Sequence, residues 1–365
     1  MCQSLNNPIK QSLAIAFLFS TAITFAQVSF VDGIVPLDGV VIAKPNSTSS
    51  SNSVDRPQST QYQKSINWPN SAIRFVVPFA AGGQVDVIAR TISTKLSQTI
   101  GQPVIIENKP GGGGLIGSAS VAKSQPDGYT FLFTSSVHAF IPSLHSKLPY
   151  DAEKDFRPVM LIGTSPVIFV TYAEAPYKSL PDLVLSAKQK PTNINFGSAG
   201  VGTISHLNME AFSHSQKIKL NHIPYKGEAP MMVDLLARQI DLVVTSAISS
   251  MPHIKNGKLR PLAVSGNKRL ALLPEVPTLV EIGLGDMQKS QWLAIFAPVN
   301  TPQPIVLQLN EALEKSLSDS SVRQQLSESW SVEVVGSSPE VLQKWNFAEM
   351  SRWGKVIREN KINLE

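Results

Sequence analysis

The chain has almost no cysteine. Cys2 is the only one among 365 residues, which excludes a disulfide framework within the chain. There is no run of lysine and arginine of the kind that tracks a nucleic-acid backbone, although the formal net charge is +5. The signatures H-E-x-x-H, G-x-S-x-G and G-x-x-x-x-G-K-[ST] are all missing. The six histidines are scattered, and no pair has the spacing of metal ligands. Aspartates and glutamates form no evident acid–base pair. The residues therefore point to no catalytic group, no metal, no cofactor and no nucleic-acid partner. Apart from one short run near the N-terminus, no stretch is long and apolar enough to cross a bilayer.

That run is informative. Lys10 precedes an apolar segment over 13–25, and "TFAQ" then supplies the small residues Thr24 and Ala26. A positive start, a short apolar core and small residues read as a secretory signal over 1–26, so the rest of the chain is expected to be exported. Cys2 lies ahead of the apolar core and leaves with it. Residues 27–67 include "KPNSTSSSNSVDRPQSTQYQKS". Such a stretch has too little apolar surface to offset its ordering entropy and reads as a flexible linker. Residues 28–43 are more apolar, and no function is assigned to them.

From residue 73 the chain alternates. The apolar strand "IRFVVPF" leads into a helix with Ile88, Ile92, Leu96 and Ile100 on one stripe. Strands "PVIIEN", "YTFLFTSS", "INFGSA", "LNHIPYK" and "LVVTSA" follow, separated by amphipathic helices or glycine turns. "RPVMLIGTSPVIFVTY" is strand-rich and broken at Pro166, and "QWLAIFAP" is a late strand. A long helical segment covers about 304–329, and Ser338-Pro339 opens a last helix as N-cap and first residue. Uniformly apolar strands alternating with helices imply an α/β fold with mainly parallel sheets, too many strands for one sheet, and two lobes. Apolar residues make up 42% of the chain, enough for two cores. The expected division gives 68–172 with 290–330 to the first lobe and 173–289 with 331–365 to the second.

Three glycine-rich turns sit between a strand and a helix, where open α/β sheets hold ligands. "PFAAGGQVD" offers bare amides at a helix N-terminus, an anion seat, with Asp86 in the first turn. Asp86 reads either as a contact for a ligand hydroxyl or ammonium, or as a residue that complements the helix dipole. "NKPGGGGLIGSAS" matches G-x-G-x-x-G through Gly112, Gly114 and Gly117, but no acidic residue closes a following strand at the right distance. A loop beside close helix packing is the preferred reading there. "FGSAGVGTISHL" brings Ser198, Gly200, Gly202 and Thr203 to a second anion seat. One seat per lobe suits a cleft that grips a small anion from both sides.

The segments "FVVPFAAGGQVDVIAR", "VIIENKPGGGGLIGSASVAKSQPDGYTFLF", "FGSAGVGTISHLNMEAF", "HIPYKGEAPMMVDLLARQIDL" and "LAVSGNKRLALLPEVPTLVEIG" together resemble the substrate-binding proteins of tripartite tricarboxylate transporters, the TctC or Bug family. The resemblance runs from about residue 68 to the C-terminus. It implies a two-lobed periplasmic solute receptor, a monomer and not an enzyme. Such a receptor closes on a small organic carboxylate or amino acid and presents it to membrane permease subunits. On that pattern Phe79, Ala81, Gly82, Gly83 and Asp86 face the ligand from one lobe, with Ser135 and Ser136 as further candidates. Ser198, Gly200, Gly202, Thr203, His206, Tyr225, Lys226 and Gly227 face it from the other. The chain departs from the pattern at Ala294, where members often have glycine, at "PVNTP" in place of "PAGTP", and in its long spacer. An orphan sensor that hands ligand to a signalling receptor, an exported enzyme and a nucleotide enzyme are the competing readings.

Overall fold

The computed structural model describes residues 34–37, 40–43 and 67–359, apart from 146, 192, 267 and 285–289. The signal reading of 1–26 lies outside the described residues, as does most of the expected linker. Within that linker, β1 (Ile34–Leu37) and β2 (Val40–Ala43) pair antiparallel, with Ile34 opposite Ala43. They fall in a unit of their own, Met1–Arg56; everything below belongs to the second unit, Pro57–Glu365.

The second unit opens with β3 (Ile73–Val77), α1 (Gln84–Ile100), β4 (Val104–Asn108), α2 (Leu115–Ala122), β5 (Thr130–Ser135), α3 (Val137–Leu144) and β6 (Phe156–Ser165). The chain then crosses at Pro166 into β7 (Val167–Tyr172), α4 (Leu180–Gln189), β8 (Asn195–Ser198), α5 (Ile204–Gln216), β9 (Asn221–Pro224), α6 (Glu228–Leu236), β10 (Leu242–Ser246), α7 (Ala247–Lys255) and β11 (Leu259–Val264). It returns as β12 (Gln291–Pro298), α8 (Gln303–Ser318), α9 (Ser320–Gln324), β13 (Glu333–Val334) and α10 (Pro339–Glu359). One sheet has the order β13-β6-β12-β5-β3-β4 and the other β11-β7-β10-β8-β9.

Both lobes are α/β, and their ladders are mixed. β3 runs parallel to β4 and β5, and β8 parallel to β9 and β10. The strands next to the crossings run the other way: β12 is antiparallel to β5 and β6, and β7 to β10 and β11. β6 follows β5 through α3 and, both being antiparallel to β12, runs parallel to it, whereas β7 follows β6 with no helix between them and runs against its neighbours. At Ala294 the register of β12 against β6 shifts, and the strand continues to Pro298.

The helix stripes explain the first core. Ile88, Ile92 and Leu96 are fully buried against Phe75, Phe131 and Phe133, and truncating any one to alanine costs about 2–5 kcal/mol. Leu309, Leu313 and Leu317 of α8 close the same face. The second core lies between β7, β10, α6 and α7, and contains Ile168, Val243, Met231, Leu235 and Met251. Phe212 of α5 covers the opposite face against Phe169.

The C-terminal segment is placed differently from the expected division. Residues 333–359 belong with the first lobe, because β13 pairs with β6 and α10 packs on α3 and β6. Glu349 of α10 accepts from the indoles of both Trp292 in β12 (3.1 Å) and Trp353 (3.2 Å). This polar clamp, buried among apolar residues, fixes the tail to that lobe. Residues 167–172, assigned to the first lobe by sequence, form β7 of the second sheet.

Candidate functional site

The turn after β3 and the turn after β8 face each other across the lobes. The first runs over 80–83 and ends at Gly83, the N-cap of α1, with no side-chain cap. Asp86, buried in the first helical turn, is bound within its own lobe. It accepts from Gly82 N (2.9 Å), Asn108 Nδ2 (2.9 Å) and Arg90 Nε (3.0 Å). Burial works to raise its pKa, but the bonds from Arg90, Gly82 and Asn108 outweigh it and hold the carboxyl below its ordinary value. The expected contact between Asp86 and a ligand is therefore not what the geometry displays: its oxygens hold the turn.

The second turn leads into α5 through Thr203, whose side chain does not cap the helix. Its Oγ1 donates to Gly200 O (2.6 Å) and lies 2.9 Å from Ser205 Oγ. Ser205 Oγ in turn accepts from Ala199 N (2.9 Å). Behind the turn stand two stacked imidazoles, His206 and His222, 4.1 Å apart, with Phe196 stacked 4.7 Å beyond His222. Gly202 N donates to His206 Nδ1 (3.2 Å), and Ser198 Oγ meets His222 Nε2 at 2.7 Å. Burial, then the neighbouring His222, lowers His206 to about 3, and burial lowers His222 to about 4. Both rings are neutral at pH 7. The Ser198–His222 pair has the distance of a nucleophile and its base, but Ser198 is fully buried and its Oγ also accepts from Gly200 N (3.3 Å). It holds the turn.

Between the turns lies a cavity of about 30 Å³, lined by Phe79, Gly83, Gln84, Val85, Ser135 and Gln291 from the first lobe. Val167, Ala199, Thr203, Ile204, Ser205, Glu228, Val244 and Thr245 line it from the second. That space is enough to admit water. The lobes touch through backbone at two places. A Cβ on Gly227 would come 3.1 Å from Ala80 Cβ, and one on Gly113 would collide with Val201 O. The glycine run over 111–114 is thus a cross-lobe contact, and it lines an adjoining groove of about 210 Å³ with Gly200, Tyr225 and Lys226.

Of the residues singled out by sequence, Phe79, Gly83, Ser135 and Thr203 are on the cavity wall. Ala81 and Gly82 are exposed at the tip of the first turn, and Lys226 is exposed beside the outer groove. Ser136, Ser198 and His206 are buried behind the wall. Tyr225 donates to Asp234 (2.6 Å), and burial followed by that carboxylate raises its pKa. The sequence reading missed Gln84, Ser205, Glu228, Thr245 and Gln291. Gln84 and Glu228 each directly follow a glycine of a marked turn, and the signal was a polar residue at the first position of a helix. Among the described residues no group of three or more His, Cys, Asp or Glu is placed to hold a metal ion, and no helix is long and apolar enough to cross a membrane.

A family model described as "Tripartite tricarboxylate transporter family receptor" matches residues 88–364. A relative from Pseudomonas sp. (strain P51), "UPF0065 protein in tcbD-tcbE intergenic region", is 36% identical over 84% of this chain and 91% of its own length. Among solved structures, the periplasmic binding protein BugD superposes with a TM-score of 0.78 at 32% identity, covering 81% of this chain and 99% of BugD. R. palustris Rpa4515 with adipate gives 0.78 at 34% identity over 82% and 100% of the two chains. MatC from Rhodopseudomonas palustris with bound malate gives 0.76 at 32% over 80% and 100%.

Proposed function

The chain belongs to the tripartite tricarboxylate transporter receptor family, and from that premise we propose that it is a periplasmic receptor for a small organic carboxylate. The carboxylate would be captured between the lobes and handed to membrane permease subunits, with 1–26 serving as the export signal. The observation that carries this reading is the pairing of two glycine turns, each opening a helix with no side-chain cap, on the walls of one cavity. First-turn amides and the helix dipole suit a carboxylate at α5, while at α1 the Gln84 amide already meets Glu228 Oε2 (3.3 Å) and the turn supplies the opposing wall. Thr203, Ser205 and Ser135 add hydroxyls at the wall.

Closure follows from differential affinity: a ligand bound by both lobes favours the arrangement in which both seats reach it. The cross-lobe approach at Gly113 and Gly227 is the surface on which that closure ends. The chemistry of the site is binding chemistry, since the serine–histidine pair is enclosed and the histidines serve the turn.

The test combines native mass spectrometry of the purified protein with small-angle scattering. Adipate and malate are the first probes, followed by a panel of organic anions. A retained carboxylate together with a smaller radius of gyration is the expected result. Neither retention nor compaction with any member of the panel would overturn the reading.

A further inference from the structure

Three helices begin at one point of the lobe interface. In the second lobe α6 starts at Glu228 behind Gly227, and α7 starts behind its N-cap Ser246; in the first lobe α1 starts at Gln84 behind Gly83. The approach is close. A Cβ on Gly83 would lie 3.9 Å from Glu228 Cβ, and one on Gly82 would lie 4.0 Å from Ala229 Cβ. Ile248 of α7 packs against the core of the first lobe. Each helix start carries unpaired amides and a partial positive charge, so three of them brought together repel unless an anion stands between them.

Glu228 is that anion. Its Oε1 accepts from Ser246 N (3.0 Å) and Thr245 Oγ1 (3.2 Å), and its Oε2 from Ser246 Oγ (2.8 Å) and Ser249 Oγ (2.7 Å). These donors all lie in its own lobe, so the carboxylate keeps its position whether or not the lobes meet. The remaining donor, Gln84 N, comes from the first lobe at 3.3 Å. Among the bonds of Glu228 it is the one that closure makes. Gln84 is fixed as well, because its Nε2 donates to Ser165 Oγ (2.8 Å) at the end of β6. Both partners are preset, and joining them orders no further side chain.

We infer that Glu228 is an interlobe latch: held by its own lobe, it receives the start of α1 and sustains the closed arrangement before a ligand arrives. A ligand then adds to an equilibrium that already favours closure, and its affinity depends on Glu228 through the population of the closed form. This builds on the receptor reading, in which the lobes part and close.

The test reads the distance between α1 and α6 in the ligand-free full chain. Spin labels are placed at Thr94→Cys and Val233→Cys, both exposed positions, in a Cys2→Ser background. Glu228→Gln keeps the shape and removes the charge. Gln84→Pro acts from the other side and leaves the second lobe untouched. Proline suits the first position of a helix and has no N–H, and Gly83 before it is already extended (φ −79°, ψ 170°). Gln84→Ala keeps that N–H, loses the side chain and serves as its reference. The wild type and Gln84→Ala are expected to show mainly the interlobe distance of this structure. Glu228→Gln relative to the wild type, and Gln84→Pro relative to Gln84→Ala, are expected to lower the closed-to-open ratio about tenfold. Gln84→Pro decides the outcome if Glu228→Gln does not fold. A ligand-free wild type that is wholly open, or a ratio unchanged in Gln84→Pro, overturns the latch. Either result leaves the receptor reading to its own test, retention of an organic anion by the wild type.

Discussion

The turns before α1 and α5 are built alike and finished differently. Each is a glycine bend between a strand and a helix N-terminus, and each faces the same cavity. The first is held by charge: Asp86 ties Gly82 N to Arg90 and Asn108, and Glu228 arrives from the other lobe onto Gln84 N. The second is held by neutral groups: hydroxyls of Ser198, Thr203 and Ser205, and two stacked imidazoles kept uncharged by burial. One local device can thus be a rigid, internally neutralised seat or an open one, depending on which side chains support it. The electrostatic field at a helix N-terminus is common to both; what differs is whether the protein supplies the anion itself.

The largest break in that comparison is Asp86→Ala. It removes three donors' shared acceptor and leaves the Gly82 amide without its partner beneath the first turn. Charge-assisted bonds of this kind contribute about 1.5–3 kcal/mol each when lost from a buried site, and Arg90 is half-exposed and recovers solvent. A net loss of about 3 kcal/mol is expected, seen as a lower denaturant midpoint with little change in slope. A loss no larger than that of a surface aspartate such as Asp182 would show that the first turn is not held by charge.

Acid separates the two turns next. His206 and His222 have folded values of about 3 and about 4, below their ordinary 6.5. The unfolded chain therefore binds more protons between pH 6.5 and 4, and stability is complete above 6.5 and falls as pH drops. Each tenfold excess of protons over the unfolded imidazole's midpoint costs about 1.4 kcal/mol, so His206 alone accounts for about 2–3 kcal/mol by roughly pH 4.5. His222, less enclosed, adds less. Glu210, 3.6 Å from His206 Nε2, has its pKa raised by burial, so the folded chain takes up that proton first and offsets part of the loss. Asp86 is held below its ordinary value of 3.8 and stays ionised through this window. Denaturant midpoints from about pH 7.5 to about 4.5, with hydrogen exchange over both turns, are expected to show protection lost first around 198–206. Simultaneous loss at both turns, or histidine signals that titrate near the ordinary value, would remove the distinction.

How much of this was legible in the sequence follows the same physics. The strand–turn–helix order was readable because β3 and α1 carry strong, unlike periods: three core residues in β3 and a four-residue stripe in α1. The helices α3 and α7 give no clear period, since each is short and contains a proline, Pro142 or Pro252. The placement of α10 was not readable either. It depends on Glu349 meeting Trp292 across 57 positions of chain, which no local pattern encodes. At the site, the glycines announced both turns, because Gly82, Gly200 and Gly202 take positive φ there, and Gly113 and Gly227 stand opposite them, where an added Cβ would collide with Val201 O or crowd Ala80. Orientation was the hidden part. Asp86 was visible as an acid in a first helical turn, but whether it faces a ligand or its own loop is decided by Arg90 and Asn108, one of them on another strand. Glu228 was visible only as a polar residue opening a helix, because its partners Thr245, Ser246 and Ser249 lie on later elements of its own lobe and Gln84 lies on the other.

The finest cut between the two seats is Thr203→Ala. Thr203 stands at the N-cap position of α5, where a threonine side chain usually accepts from the second or third amide of the helix. Here Oγ1 turns back to Gly200 O at 2.6 Å and reaches Ser205 Oγ at 2.9 Å. Removing it costs one good hydroxyl bond and loosens Ser205, which still accepts from Ala199 N. A destabilisation of about 1 kcal/mol is expected, smaller than that of Asp86→Ala and confined to the neutral turn. The helix amides themselves are unchanged, so helix content by circular dichroism stays as in the wild type, and hydrogen exchange quickens over 199–205 alone. A cap-sized loss accompanied by fraying of the first turn of α5 would mean that Thr203 caps the helix after all. The second seat would then be closed by its own side chain, as the first is closed by Glu228, and the contrast between them would disappear.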